Sequence, residues 1–473
     1  MENLTLSSKQ KLTDQVLILK NQSRKSLLRK LYRWLYSMVF LVSVSLLVNL
    51  AWVSAAEKPL VARFITSWFS PGPRKYKNDV PAFVKKDKNI IIHSESHDLK
   101  TFYRSLDSLS NRLKNKVNIV HIGDSHVQAD VFPGQIRLNL QKDTLLGNGG
   151  RGMVFPHSII GSNNGSYLKA SRTGFWQGCR NAEWAKSCNC GITGVTAYTT
   201  DVTATFSVNP NLIPELTYPV TQVRIFYPVS DPTTFIPKIL TAEANVVAQR
   251  TDQAGGYVEF TLRSPVPEIS IGFEKVRDEQ TGFTLQGISL GHDNPGVQYH
   301  SMGINGVDAS GFLRTPQFER HLAAQQPDLV IISLGTNDAY VRKFDALAFK
   351  RNLGGIIQHI KRASPKASIL LTTPGDGMYG RRYLNYYNAA AGKIIRDLAE
   401  ETGCSVWDFY EVMGGLRSVN IWYAQGFALA DRLHLSHKGY ILQGDLLYQA
   451  LMEDYISYGA KFPLKKTTIT GKK

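Results

Sequence analysis

Nine residues, Ile119-Val120-His121-Ile122-Gly123-Asp124-Ser125-His126-Val127, constrain the chain more than any other stretch. The apolar run 117–122 reads as a strand buried on both faces. It stops at Gly123, a polar trio follows, and the pattern turns amphipathic over 127–140. A serine between a buried strand and a helix sits where open α/β sheets place their sites. Its backbone N–H then points into the same crevice, near the positive end of the helix dipole. A hydroxyl alone is a poor nucleophile, so such a site needs a base and donors for an oxyanion.

The rest of the chain offers both. Asp431-Arg432-Leu433-His434 is followed by Ser436, Gly439 and an apolar helix expected over 440–451. A carboxylate three residues before a histidine can hold the imidazole Nδ1–H and leave Nε2 free as base. A second buried strand, 328–334, runs into Gly335-Thr336-Asn337-Asp338, where Asn337 can aim its amide at an oxyanion. Gly303-Ile304-Asn305-Gly306 supplies a glycine whose bare N–H is a further donor candidate.

These four blocks, "GDSH", "GINGVDASG", "LGTND" and "DRLHLSHKGY", occur in the order of the SGNH (GDSL-like) hydrolases, and the chain resembles that family. The resemblance implies Ser125 as nucleophile, His434 as base and Asp431 as its orienter. It implies the Ser125 N–H, the Gly306 N–H and Asn337 as oxyanion donors, with no metal and no organic cofactor. Two departures stand out: His126 replaces the usual leucine, and the serine and glycine blocks lie much further apart than in compact members. The layout, including "NPGVQYHSMGINGVDASG", looks most like bacterial peptidoglycan O-acetylesterases. It therefore implies removal of O-acetyl groups from a cell-wall glycan. Related members are O-acetyltransferases, and one acyl-enzyme serves both outcomes.

Around these blocks the chain divides by pattern. Residues 1–33 are polar and basic, and 34–56 is a charge-free run long enough to span a bilayer. Trp34, Tyr36 and Trp52 mark its interfaces, and the upstream charge predicts a cytoplasmic N-terminus with the remainder exported. A cleaved signal peptide is the competing reading, with Val53-Ser54-Ala55 before the cut. Residues 57–98, rich in Pro and Lys, read as a stalk, and 461–473 as a basic tail. The predicted localisation is the inner membrane, single-pass, with the folded part periplasmic.

The α/β core is expected from 99–165 and 296–460, beginning with a helix over 99–113 and a loop over 141–165. After the 117–122 strand, further strands are expected at 298–302, 329–334, 367–373 and 405–409. Helices are expected at 344–362 and 381–401. Five parallel strands with helices on both faces predict a flavodoxin-like three-layer α/β/α sheet of order 2-1-3-4-5. Residues 166–295 show period-two alternation between Pro and Gly turns, the pattern of an inserted all-β sandwich or jelly roll. Within it, Trp176 and Trp184 are candidates for stacking on sugar rings.

Of the four cysteines, Cys179 is expected to pair with Cys188 or Cys190, and Cys404 to be core. The net charge of +17 across 473 residues admits nucleic-acid binding, but much of the excess flanks the body and no binding motif accompanies it. Two rival classes remain. Asp124-Ser125-His126 is also an Asp-x-His pair of the kind metal-dependent phosphoesterases use, although the further ligand blocks are missing. A non-catalytic glycan-binding protein is the other.

Overall fold

Val117, Val120 and Ile122 are fully buried, which a run of β-branched residues achieves only in the middle of a sheet covered on both sides. The computed structural model describes residues 80–95, 99–241 and 245–461. Its central sheet contains β1 (Ile91–Ile92), β2 (Lys116–Gly123), β3 (Gly296–Gly303), β4 (Leu329–Ser333), β5 (Ser368–Thr372) and β6 (Ser405–Trp407), in the order β1-β6-β5-β4-β2-β3. Strands β2 to β6 are parallel, and counted alone they run 2-1-3-4-5 as expected. Strand β1 adds an antiparallel edge. That edge falls in the run read as stalk: Val84 and Ile91 are buried, and residues 80–95 lie along the fold.

Strand alternation sends successive side chains to opposite faces. Val120, Ile122, Val330 and Ile332 share a core with Phe349 and Leu353 of the helix Ala346–Ala363. On the other face, the His121 and Trp407 rings meet Phe132 of the helix Val131–Lys142. The helix expected over 127–140 is therefore two, Ser125–Gln128 and Val131–Lys142. They break at Asp130 (φ 58), whose buried carboxylate is held by Arg137 and Arg151. The last helix, His437–Lys461, is longer than its apolar stretch.

Between β2 and β3 the strands are antiparallel and form three sheets of five, four and three strands. The expected loop 141–165 is corrected here: Gly150–Val154 is a strand at the edge of the five-stranded sheet, paired with Gly287–Gly291. Gly150 and Gly152 leave one face without side chains up to Val154, and Arg151 breaks the apolar pattern on the other, which hid the alternation. The apolar core of these sheets (Phe206, Phe226, Ile271) is continuous with that of the α/β layers. Cys179 and Cys188 form a disulfide, while Cys190 and Cys404 are buried thiols.

The expected helix 381–401 is also corrected. It begins at Tyr387, after a small hairpin pairing Met378–Tyr379 with Tyr383–Leu384. Gly380 (φ 56) and Arg381 (φ 65) turn the hairpin, and that conformation cannot continue a helix. The expected membrane segment 34–56, both basic tails beyond Lys461 and before residue 34, and the stalk to residue 79 lie outside the described residues. Among the described residues, no helix is long and apolar enough to cross a membrane.

Two glycines let the serine helix lie directly on the sheet. A Cβ at Gly303 would stand 1.9 Å from Gln128 N, and one at Gly123 would stand 2.4 Å from Val127 Cγ2 and 2.7 Å from the Ser333 carbonyl. The Gly303 clash is with backbone, so no rotamer change relieves it. Gly303→Ala is expected to cost about 3 kcal/mol. Denaturant unfolding checks this, and an unchanged midpoint would contradict the packing described.

Candidate active site

Asp124 closes β2 and caps the next helix, its carboxylate accepting the His126 N–H at 3.0 Å. This puts Ser125 at the first helical position, half-buried, beyond the C-terminal end of the strand. At the other end of the chain, the Asp431 carboxylate folds its own loop. One oxygen accepts the Leu433 and His434 N–H groups, both at 3.0 Å, and the other faces His434 Nδ1 at 2.8 Å. A carboxylate there selects the tautomer with its proton on Nδ1, leaving the Nε2 lone pair outward. Nε2 lies 3.0 Å from Ser125 Oγ.

Further contacts fix that loop. Leu429 N–H donates to the His434 carbonyl at 2.9 Å, and Ser436 N–H to the Phe427 carbonyl at 3.0 Å. Gly439 allows the approach, since a Cβ there would stand 1.9 Å from the Phe427 oxygen. Burial pushes the Asp431 carboxyl up, but the His434 ring and the two N–H groups more than offset it and hold it below the usual carboxylate value.

The glycine and asparagine blocks also meet. Asn337 Nδ2 donates to the Val307 carbonyl at 2.9 Å, which occupies one of its two amide hydrogens. Gly306 is exposed with φ 78, and Gln128 Oε1 accepts the neighbouring Asn305 N–H at 2.6 Å. The structure thus joins Ser125, His434 and Asp431 by hydrogen bonds, and Asn337 to the Gly306 loop through Val307.

The two tryptophans separate. Trp176 is a correction to the stacking candidates: it is 5% exposed and packs edge-on against Phe206, with Phe273 alongside, so it offers no face to a sugar. Trp184 is 67% exposed, in the loop closed by the disulfide, with the Arg314 guanidinium 3.9 Å from its ring centre.

Other residues acquire roles that motif reading missed. The His126 ring stacks on His434 (centroids 5.2 Å, planes 27° apart), and its Nδ1 lies 2.9 Å from Tyr440 Oη. Burial lowers the His126 pKa, which favours its neutral form beside the His434 ring. The Tyr440 contact occupies Nδ1 of the His126 ring, while its buried Nε2 has no hydrogen-bond partner among the described residues. Among the described residues, no group of three or more His, Cys, Asp or Glu side chains is arranged to hold a metal ion. A cavity of about 30 Å³ lies behind the trio, lined in part by Asp124, His126, Asp376 and Gln443. Burial raises Asp376 in its wall to about 6.

Residues 282–442 match the model of the GDSL-like lipase/acylhydrolase family, a span that holds Gly306, Asn337, Asp431 and His434. The chain carries a GDSL-like acylhydrolase domain. It is a carboxylic ester hydrolase, and the insert explains why Ser125 lies upstream of the matched span. Among solved structures, the acylhydrolase is similar to a peptidoglycan O-acetylesterase at 21% identity, with a TM-score of 0.64 over 76% of this chain and 98% of that one. A lipase/acylhydrolase from Enterococcus faecalis matches at 23% identity and TM-score 0.28, over 34% of this chain and 77% of that one. An acetylxylan esterase from Geobacillus stearothermophilus matches at 21% and 0.27, over 33% and 73%. No curated protein matches the acylhydrolase.

Asp338 ties this region together, its two oxygens 3.1 and 3.2 Å from the Ala309 N–H. Burial raises its pKa from 3.8 to about 7, partly opposed by that N–H. The folded state therefore keeps a proton that the unfolded chain releases, and stability falls as pH rises between those two values. Asp338→Asn removes this dependence. Its Tm is expected to gain a few degrees on the parent as pH rises from about 5 to about 8. A constant difference would contradict the assignment.

Proposed function

We propose that this acylhydrolase is a serine esterase that removes O-acetyl groups from a cell-wall glycan. The observation that carries the mechanism is the unbroken hydrogen-bond chain from Ser125 through His434 to Asp431. Ser125 Oγ attacks the acetyl carbonyl while His434 Nε2 takes its proton, and Asp431 stabilises the imidazolium. The tetrahedral oxyanion is held by the Ser125 N–H, the Gly306 N–H and the free amide hydrogen of Asn337. Collapse returns the proton to the departing sugar hydroxyl and leaves acetyl-Ser125. Water, deprotonated by His434, then releases acetate and restores the serine.

The fold shared with a peptidoglycan O-acetylesterase over most of both chains supports the choice of substrate. Trp184, exposed and stacked on Arg314, is proposed to contact the sugar. Residues 34–56 are proposed to anchor the enzyme in the inner membrane, N-terminus inside, with the catalytic part facing the periplasmic wall.

Acetate release from O-acetylated peptidoglycan, with acetylated xylan as comparison, tests this reading. The wild type is expected to release acetate from peptidoglycan. Ser125→Ala is expected to lose at least about 10⁴-fold and Asp431→Asn about 10³–10⁴-fold. Release from xylan alone would overturn the proposed substrate, and full activity in Ser125→Ala would overturn the mechanism.

A further inference from the structure

We propose that the rim of the site beyond Asn337 and His434 binds carboxylate groups, so that the glycan hydrolysed is a polyanion. This rests on the esterase reading above and specifies the substrate of the same site.

Three stretches build that rim: 339–344 after β4, 377–386 after β5, and 412–430 leading to Asp431. They carry Arg342, Lys343, Arg381, Arg382 and Arg417, all exposed, and not one Asp or Glu. Of the carboxylates flanking these stretches, Glu411 is exposed and the other four are engaged elsewhere. Asp431 holds His434, Asp338 the Ala309 N–H, Asp376 the Val419 N–H, and Asp345 the Ala348 N–H. Arg432 completes the set, its guanidinium 5.0 Å from the Tyr423 ring centre. Among the described residues, none of the six cations forms an ion pair, although several of the protein's other arginines and lysines do.

Hydrogen bonds stitch this surface to the site. Met378 N–H donates to the Arg432 carbonyl at 2.8 Å, one residue from Asp431. Gly380 N–H donates to Tyr340 Oη at 3.1 Å, and the Tyr340 and Tyr379 rings lie 5.0 Å apart. Tyr340 stands three residues after Asn337. The 378–384 hairpin is thereby fastened both to the histidine loop and to the asparagine helix. Beside its arginines, Tyr383 and Tyr386 are 68% and 61% exposed, open aromatic faces of the kind that stack on sugar rings.

The backbone gives an independent sign. Among the described residues, six non-glycine residues have positive φ, and four of them are arginines: Arg381, Arg417 and Arg432 on this rim, and Arg112 outside it. A left-handed arginine is strained by its Cβ, a strain that glycine or asparagine would avoid or lessen. Clustering mutually repelling cations adds to that cost, and bound carboxylates would relieve it. Guanidinium groups suit carboxylates because the planar fork donates two parallel hydrogen bonds.

The test compares O-acetylated peptidoglycan strands with the same strands after their carboxyls are amidated, using the full chain. Wild-type kcat/KM is expected to fall about tenfold on amidation, and to fall on native strands as salt is raised to about 0.5 M. The double variant Arg381→Asn, Arg382→Gln suits the hairpin turn at least as well as the parent. It is expected to lose about tenfold in the native-to-amidated ratio of kcat/KM. An unchanged wild-type rate on amidated strands, or an unchanged ratio in the variant, would overturn the proposal. Full-chain Ser125→Ala reads the rim without turnover: it is expected to bind native strands more tightly than amidated ones, and equal binding overturns the rim. Stronger retention on phosphatidylglycerol vesicles than on native strands would also overturn it, assigning the surface to lipid. Hydrolysis of a small neutral acetyl ester, lost in Ser125→Ala, reports separately on the esterase reading.

Discussion

The hydrogen bond between Ser125 Oγ and His434 Nε2 joins residues 309 positions apart, and most of the fold serves to hold its two ends. The serine end is fixed by the close seating of its short helix on β2 and β3, which Gly123 and Gly303 permit. The histidine end is fixed by Asp431, which closes its own loop before it touches the ring. A hydrogen bond of this length tolerates little displacement. A shift of about 1 Å at either end would leave a hydroxyl without a base.

Much of this was legible in the sequence for a physical reason. Parallel strands buried on both faces are nearly continuous apolar runs, so β2, β4 and β5 stand out, and short connections restrict their order. Site residues at strand ends are marked by the Gly, Asp and Asn that turns require. The Asp431–His434 spacing likewise encodes a local hydrogen bond. What was hidden depends on tertiary context. In Gly150–Val154 two glycines and Arg151 leave no apolar alternation to read. Trp176 and Trp184 look alike in sequence, yet one is core and the other open to solvent. The stacking of His126 on His434, and its bond to Tyr440, join segments that no local pattern connects.

The antiparallel insert and the basic rim give this acylhydrolase its own character on a common sheet. The insert shares its apolar core with the α/β layers, so it is packed into the body of the enzyme. Through Arg314 it reaches the helix that follows the Gly306 loop, placing Trp184 at the end of that connection. The hairpin 378–384 is fastened at the opposite flank, to the histidine loop. In the proposed function, a flat aromatic face and a cationic rim serve to recognise a polymer, and the hydrogen-bonded trio is proposed to act on the ester.

The central claim is that Ser125 is the activated hydroxyl of the protein. Reaction with a fluorophosphonate, followed by peptide mapping, tests it most directly. The account predicts one phosphonyl group per chain, on Ser125, with labelling slowed sharply in His434→Ala. Stoichiometric labelling of another residue, or labelling of Ser125 at an unchanged rate without His434, would contradict it.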